Sequence, residues 1–125
     1  MPATGSGREE IIDCANAADW EAWLESHHDQ PSGVWLRIAK KGSGATSVTI
    51  IQALDIALSY GWIDSRREAY DETYYLQRYS PRRRKSPWSK PNMDRAEALV
   101  EAGRMHPAGL REVEAAKRAG RWGAT

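Results

Sequence analysis

Apolar and aromatic residues recur along this chain with two different spacings, and the spacings predict strands and helices in turn. Ile11-Ile12 is predicted to begin a short edge strand. Asn16 then stands at an N-cap position, and the tripeptide Pro31-Ser32-Gly33 breaks the helix that it opens. Spacings of three and four residues place one set of side chains on a single face of this helix: Trp20, Trp23, Leu24 and His27.

A strand and a second helix are predicted next. Residues 34–41 alternate between two faces and are followed by the glycine-rich segment 42–44. Thr49 and Gln52 have the spacing of a capping box, and Gly61 is a natural C-terminal stop. The helix between them is predicted to bury one apolar face: Ile51, Leu54 and Leu58, with Ile50 and Ala57 beside them.

Residues 62–80 are predicted to form a β-hairpin that turns near Asp71-Glu72. Loops of two or four residues give the same register, so the pattern leaves the loop length open, and it also leaves open which face is buried. In either case one face of the hairpin carries the following residues: Trp62, Asp64, Arg66, Glu68, Tyr70, Thr73, Tyr75, Gln77 and Tyr79.

Two more helices are predicted, one beginning near Pro91 and one near Pro107, because proline is tolerated in the first turn of a helix. The resulting order β-α-β-α-β-β-α-α predicts an α+β domain with a small, mostly antiparallel sheet, a central β-hairpin and about four packed helices. We expect a flexible N-terminus over residues 1–8 and a single domain over residues 9–125.

Composition and charge narrow the class of protein. The chain has six Trp, five Tyr and no Phe, a set that suits a core or a half-wet pocket. The single cysteine, Cys14, is compatible with a reducing compartment, and neither a signal peptide nor a membrane-length apolar run is found, so a cytoplasmic location is expected. Residues 9–29 hold acids without Lys or Arg, whereas residues 73–93 hold Lys and Arg without acids, so contact between these two poles is predicted.

Several ordered motifs between Trp20 and Trp122 resemble the YdeI/OmpD-associated, or bacteriocin-protection, family. They read WEAWLESHH, GVWLRIAKKGSG, ALDIALSYGWIDS, YYLQRYSPRR, WSKPN and GRMHPAGLREVEAAKRAGRW. The resemblance implies a bacterial protein with a stress or antimicrobial-resistance role. This chain resembles a short form that lacks the family's usual C-terminal helical segment.

The hairpin and the residues after it are the candidate ligand site. Aromatic walls with a few convergent polar groups are typical of small-molecule pockets, and arginine holds anions through its planar fork. A small anionic or planar aromatic ligand is therefore predicted, with Arg66 and Arg82 as cationic contacts. The remaining predicted ligand-binding residues supply aromatic walls or orient the ligand: Trp62, Tyr75, Gln77, Tyr79, Trp88 and Asn92.

Alternatives remain open at this stage. The same pocket is compatible with an enzyme in which Asp64 acts as a general base. The basic loop at residues 82–85 is compatible with a protein–protein interaction module, in a monomer or a homodimer. The net charge of +1 disfavours nucleic acid as a partner. Because His27-His28 are adjacent and His106 is distant, no metal site is predicted, and no cofactor is expected.

Overall fold

The structure is a computed structural model, which describes residues 9–83 and 88–122. The predicted flexible segment, residues 1–8, lies outside the described residues. The elements follow in the order β1 (Ile11–Ile12), α1 (Ala17–His27), β2 (Val34–Ala39), α2 (Ile50–Ser59), β3 (Trp62–Ala69), β4 (Tyr74–Pro81), α3 (Lys90–Glu101) and α4 (Pro107–Arg118). Four helices and four strands within the described ranges confirm the predicted α+β class.

The four strands form one sheet in the order β1-β2-β4-β3. β1 pairs with β2 in parallel, whereas β2–β4 and β3–β4 are antiparallel, so the sheet is mostly antiparallel as predicted. The hairpin loop has four residues, and the Asp71 carboxylate accepts hydrogen bonds from the backbone N–H groups of Thr73 and Tyr74 at 2.9 and 2.8 Å. The strand order places β4 inside the sheet and β3 at one of its edges.

Local capping sets the helix starts where the sequence predicts them. The side chain of Asn16 accepts a hydrogen bond from the backbone N–H of Asp19, and Thr49 and Gln52 form the full capping box of α2. Ser89 caps α3 in the same way, which the sequence analysis did not identify. Caps are local signals, because they depend on residues only three positions apart.

The predicted buried face of α2 is wrong at its N-terminal end. Ile51 is 60% exposed, whereas Ala53, Ile56 and Ala57 are buried together with Leu58. The reason is that α2 contacts four other elements, namely β3, α1, α3 and α4. A helix packed on several sides has no single apolar stripe, and the small alanines allow its neighbours to approach closely.

The core consists of two hydrophobic clusters, one on each side of α2. The first joins α1 and α2 to one face of the sheet, and its largest buried side chains are Trp20, Leu24, Leu36, Trp62 and Tyr79. The second lies under α3 and α4 and contains Leu58, Trp88, Met93, Ala96, Leu99, Val113 and Ala116. The hairpin face that carries Trp62 and Tyr79 is thus the buried one, which the pattern alone left open.

The predicted hairpin register is correct only near its open end. Asp64 pairs with Tyr79, but the next pair on that face is Arg67 with Gln77. One extra residue on β3 forms a β-bulge, and each later residue of β3 therefore lies on the opposite face from the one predicted. The assignment of Arg66 and Glu68 to the face of Gln77 is therefore wrong, and Arg67 occupies that face.

The two charged poles of the sequence are in contact, as predicted. The Arg78 guanidinium donates hydrogen bonds to the two carboxylate oxygens of Glu9 at 2.7 and 3.1 Å. Glu9 also accepts a hydrogen bond from the backbone N–H of Gly33 at 2.9 Å. The hydrogen bond from Arg78 lowers the pKa of Glu9 more than partial burial raises it. This contact joins the start of the described chain to the middle of the sheet.

We expect Glu9→Gln to lower the free energy of unfolding at pH 7 by about 1 kcal/mol or less, as for other partly exposed ion pairs. Because the pKa of Glu9 is lowered in the folded state, its stabilisation is present above the ordinary carboxyl pKa and is lost as the pH falls through the lowered value. Urea denaturation between pH 2 and 7 measures this, with exposed Glu10→Gln as the matched control. Equal effects of both variants at pH 7 would contradict the assignment.

We expect Gly109→Ala to destabilise the fold by about 1–3 kcal/mol, although alanine stabilises exposed helix positions. A Cβ atom at Gly109 would lie 2.4 Å from the Ser59 carbonyl oxygen and 2.5 Å from the Met105 sulfur. Gly120→Ala is the control, because its Cβ meets no atom within 4 Å and its cost comes only from the positive φ of 77°. Thermal or urea unfolding measures both, and a stabilised Gly109→Ala variant would refute the close packing.

Candidate functional site

Trp62 and Tyr79, two of the predicted ligand-binding residues, are part of the first core cluster. The indole N–H of Trp62 donates a hydrogen bond to the carbonyl of His28 at 2.9 Å, and its ring meets Trp23 edge-on. The Tyr79 ring packs against Trp20 with centroids 5.3 Å apart. Both side chains join α1 to the sheet, so their aromatic surface is used inside the protein.

Gln77 is also buried, and its amide group is hydrogen-bonded to the bulge. Its Nε2 donates to the backbone carbonyls of Arg66 at 3.0 Å and Arg78 at 3.4 Å, and its Oε1 accepts from the Arg67 Nε at 3.2 Å. These bonds satisfy groups that the bulge removes from the strand ladder. Gln77 therefore acts here as a structural residue of the hairpin.

Arg67, and not Arg66 as the sequence predicts, lies on the face of the hairpin that carries Gln77. The Arg66 side chain is 73% exposed and pairs with Glu68 at 3.1 Å. The Arg67 guanidinium instead lies over the half-buried Tyr75 ring, 4.6 Å from its centroid. Tyr75 borders an open cavity of about 480 Å³ beside Lys40 and Lys41. The sequence signal for Arg67 was its adjacency to Arg66, but the bulge decides between them.

Arg82 is a buried arginine with half-buried charged residues near it. It is 8% exposed, and its guanidinium stacks on the Trp88 ring at 3.8 Å. Burial lowers the pKa of Arg82 to about 10; Glu112 and Asp64 oppose this shift, and Arg121 adds to it. Burial also raises the pKa of Glu112 in spite of the nearby arginines. Glu112 and Arg121 belong to these neighbours of Arg82 although the sequence analysis did not select them.

The remaining predicted residues are placed less centrally. Asn92 is half-buried in the first turn of α3, where its backbone N–H donates to the Ser89 hydroxyl at 3.2 Å. The predicted docking loop, residues 82–85, begins with Arg82, which is buried and therefore not available to a partner, and Arg83, which is exposed. Arg84 and Lys85 lie outside the described residues.

Asp64 and Tyr79 form the polar end of the buried hairpin face. Tyr79 is fully buried, and its hydroxyl has no hydrogen-bond partner among the residues that the structure describes. Burial, followed by the charge of half-buried Asp64, raises the pKa of Tyr79. An unpaired buried hydroxyl is costly, so the phenol here is retained at the expense of stability.

An open site lies on the helical side of the protein, between α1, the end of α2 and the start of α4. We call it the histidine groove; it encloses about 400 Å³ and is lined by Glu21, Glu25, His28, Tyr60, His106, Pro107, Ala108 and Arg111. Glu21, Glu25 and His28 are spaced by four and three residues, so α1 presents them on one face. Tyr60 follows α2 as its C-cap, and His106 precedes α4 as its N-cap.

Tyr60 forms the base of the histidine groove between two imidazole rings. Its ring stacks on His106 with centroids 4.0 Å apart and an interplanar angle of 15°, and it lies 5.3 Å from His28. Tyr60 is a buried residue, with 5% of its surface exposed. Its hydroxyl makes no hydrogen bond to another residue that the structure describes. Burial first, and then the charges of Glu21 and Glu25, raise the pKa of Tyr60.

Hydrogen bonds fix the tautomer of both imidazoles. The His28 Nδ1 lies 3.0 Å from the Leu24 carbonyl, which only accepts, so Nδ1 carries the proton and the neutral ring keeps a lone pair on Nε2. The His106 Nε2 donates to the Glu21 carboxylate at 3.1 Å, which leaves the lone pair on Nδ1. The groove thus has two hydrogen-bond acceptors of defined position.

The residues of this groove are distant from one another in the sequence, at positions 21–28, 60 and 106–111, so the sequence does not group them. The only local signal was the polar stripe Glu21, Glu25 and His28 on the first helix. Among the described residues, no group of three or more His, Cys, Asp or Glu side chains has an arrangement that could hold a metal ion. The same residues include no helix long and apolar enough to span a membrane.

Comparison with known proteins gives one match. The family model described as "Domain of unknown function (DUF8412)" matches residues 12–112. No curated protein matches the chain, and no solved structure matches it. The resemblance to the YdeI/OmpD-associated family therefore stays a prediction from the motifs.

We expect Tyr79→Phe to raise the free energy of unfolding by about 1 kcal/mol or more, because it removes a buried hydroxyl that has no partner among the described residues. Urea denaturation measures the change. Tyr70→Phe, at an exposed position, is the control and should change stability by less than about 0.5 kcal/mol. A destabilised Tyr79→Phe variant would show that the hydroxyl has a partner in solution.

Proposed function

The chain belongs to the family described as a domain of unknown function (DUF8412), and we propose that it binds a small planar ligand in the histidine groove. One observation carries the proposal: the hydroxyl of Tyr60 makes no hydrogen bond to a described residue and stays open to solvent, although the rest of the side chain, which lines this groove, is almost completely buried. A ligand in the groove can take the place of solvent as the partner of this hydroxyl.

The dimensions and the lining of the groove support this proposal. A volume of about 400 Å³ lies within the range of small-molecule sites. Pro107, Ala108 and the stacked rings form apolar walls, while the lone pairs of His28 and His106 provide a few fixed polar contacts. A preformed site of this kind orders few groups when it binds, which favours affinity.

Binding of a small ligand is the function that the sequence also predicts, but the proposed site is the histidine groove instead of the hairpin. The hairpin residues are buried or bonded within the protein, whereas the histidine groove is open. The YdeI/OmpD-associated motifs support a bacterial stress or resistance setting, in which the domain would act by sequestering its ligand. The single cysteine supports a cytoplasmic location as part of the same proposal.

A second candidate function is an enzyme in which Asp64 is a general base. It is supported by the unpaired, buried Tyr79 hydroxyl, which lies within electrostatic reach of the Asp64 carboxylate. A buried polar group kept at a cost in stability is typical of functional sites. Chemical conversion of a bound ligand would distinguish this candidate from binding alone.

We expect small aromatic probes to shift the ring signals of His28 and His106 in two-dimensional NMR spectra and to leave those of His27 unchanged. His27 is the third of the three histidines and stacks on Trp23, so it serves as an internal control. Benzylamine, benzyl alcohol and benzoate form the probe set. Tyr60→Phe should weaken the best probe about fivefold, the value of one hydrogen bond.

Tyr70→Phe is the matched control, since it removes an exposed tyrosine hydroxyl remote from the groove. It should leave the affinity of every probe unchanged. If no probe moves the His28 or His106 signals at millimolar concentration, the proposed function is wrong. Equal losses in Tyr60→Phe and Tyr70→Phe would also reject the role of the Tyr60 hydroxyl.

A further inference from the structure

We infer that the ligand of the histidine groove carries a positive charge, as an ammonium or similar organic cation attached to a planar body. This inference rests on the proposed function and adds the charge of the ligand to it. The sequence instead predicts a small anionic or planar aromatic ligand, with Arg66 and Arg82 as its cationic contacts.

The two arginines on which an anionic ligand depended are not available in the structure. Arg66 is exposed on the other side of the bulge and pairs with Glu68. Arg82 is buried against Trp88, with Glu112 and Asp64 near enough to oppose the effect of burial on its pKa. Neither guanidinium lines the histidine groove.

The groove itself has an excess of negative charge. Glu21 and Glu25 contribute two carboxylates and Arg111 contributes one guanidinium, which gives a net charge of −1 when both imidazoles are neutral. The pKa of Tyr60, at the base of the groove, is raised by burial and by the same negative charges. After burial, Glu21 and Glu25 are the groups that raise it. A cation entering here is therefore attracted and an anion repelled.

The two carboxylates have different roles. Glu21 already accepts a hydrogen bond from the His106 Nε2 at 3.1 Å and so orients that ring. Glu25 has no ion pair or hydrogen bond with any residue that the structure describes. An ammonium group is thus assigned to Glu25, where it forms a charge-assisted hydrogen bond without displacing a bond within the protein.

The stacked rings suit the remainder of such a ligand. The imidazole rings of His28 and His106 both lie next to Tyr60: His106 is stacked on it, and His28 is tilted by 35° at a centroid distance of 5.3 Å. Aromatic surfaces attract organic cations and also pack against planar apolar groups. The adjoining pocket, which shares Glu21 and His106 with the groove, contains Asp55, paired with Arg95 at 2.9 Å, and Arg104. Among the residues that line the groove itself, the acids outnumber the cations.

The matched probes benzylamine, benzyl alcohol and benzoate test the inference, because they share a ring and differ in charge. Dissociation constants come from the His28 and His106 NMR signals at pH 7.5 in low salt. We expect benzylamine to bind about fivefold more tightly than benzyl alcohol, the upper range for one ion pair at an exposed carboxylate. Benzoate should bind more weakly than both, and high salt should weaken only benzylamine strongly.

Glu25→Gln keeps the shape of the side chain and removes its charge. It should reduce the affinity for benzylamine about fivefold and leave that for benzyl alcohol unchanged. Glu114→Gln, at an exposed position of α4 outside the groove lining, is the control and should change neither affinity. This comparison separates a local carboxylate from the overall charge of the protein.

The possible outcomes separate the inference from the proposed function. Benzoate that binds as tightly as benzylamine, or an unchanged benzylamine affinity in Glu25→Gln, overturns the assignment of a cationic ligand. Binding of benzyl alcohol in either case would still support a ligand site. If none of the three probes moves the His28 and His106 signals, the proposed function fails as well.

Discussion

The junction between α2 and β3 is the constraint on which both the core and the histidine groove depend. Gly61 has a φ of 81°, which reverses the chain between Tyr60 and Trp62. The Ser59 carbonyl on the near side of this turn accepts a hydrogen bond from the His106 N–H at 3.0 Å. Because a Cβ atom on Gly109 would collide with that carbonyl, α4 can approach the junction only through a glycine. The turn therefore fixes α4 and places the His106 ring on Tyr60.

The same junction directs two aromatic residues of the first core cluster to different neighbours. On one side of Gly61, Trp62 enters the core and bonds to the carbonyl of His28. On the other side, Tyr60 lies at the base of the groove, next to the imidazole of the same histidine. Core packing and groove geometry are consequently coupled through His28.

Sequence reasoning recovered the features that depend on neighbouring residues. The Asn16 cap, the Thr49–Gln52 capping box and the stop at Gly61 each involve a few positions, and each is present as predicted. The bulge in β3 was not predictable, because its sequence contains no glycine or other local mark. Its one extra residue places Arg67, and not Arg66, on the face of Gln77. The histidine groove depends on the packing of α4 on α2 and on the contact of its N-cap His106 with Glu21, which is 85 positions away in the sequence.

The charge of the binding site was the feature that the sequence predicted least well, for a physical reason. A run of arginines shows that positive charge is present, but the field at a site depends on burial and on the partner of each charge. Arg82 is desolvated and stacked on Trp88, so its charge acts within the fold. Glu25 is a single unremarkable acid in the sequence, yet it faces a groove with no partner of its own among the described residues. The sign of a binding site is therefore set by the charges that the fold leaves unpaired at an open surface, and these need not be the charges that are clustered along the chain.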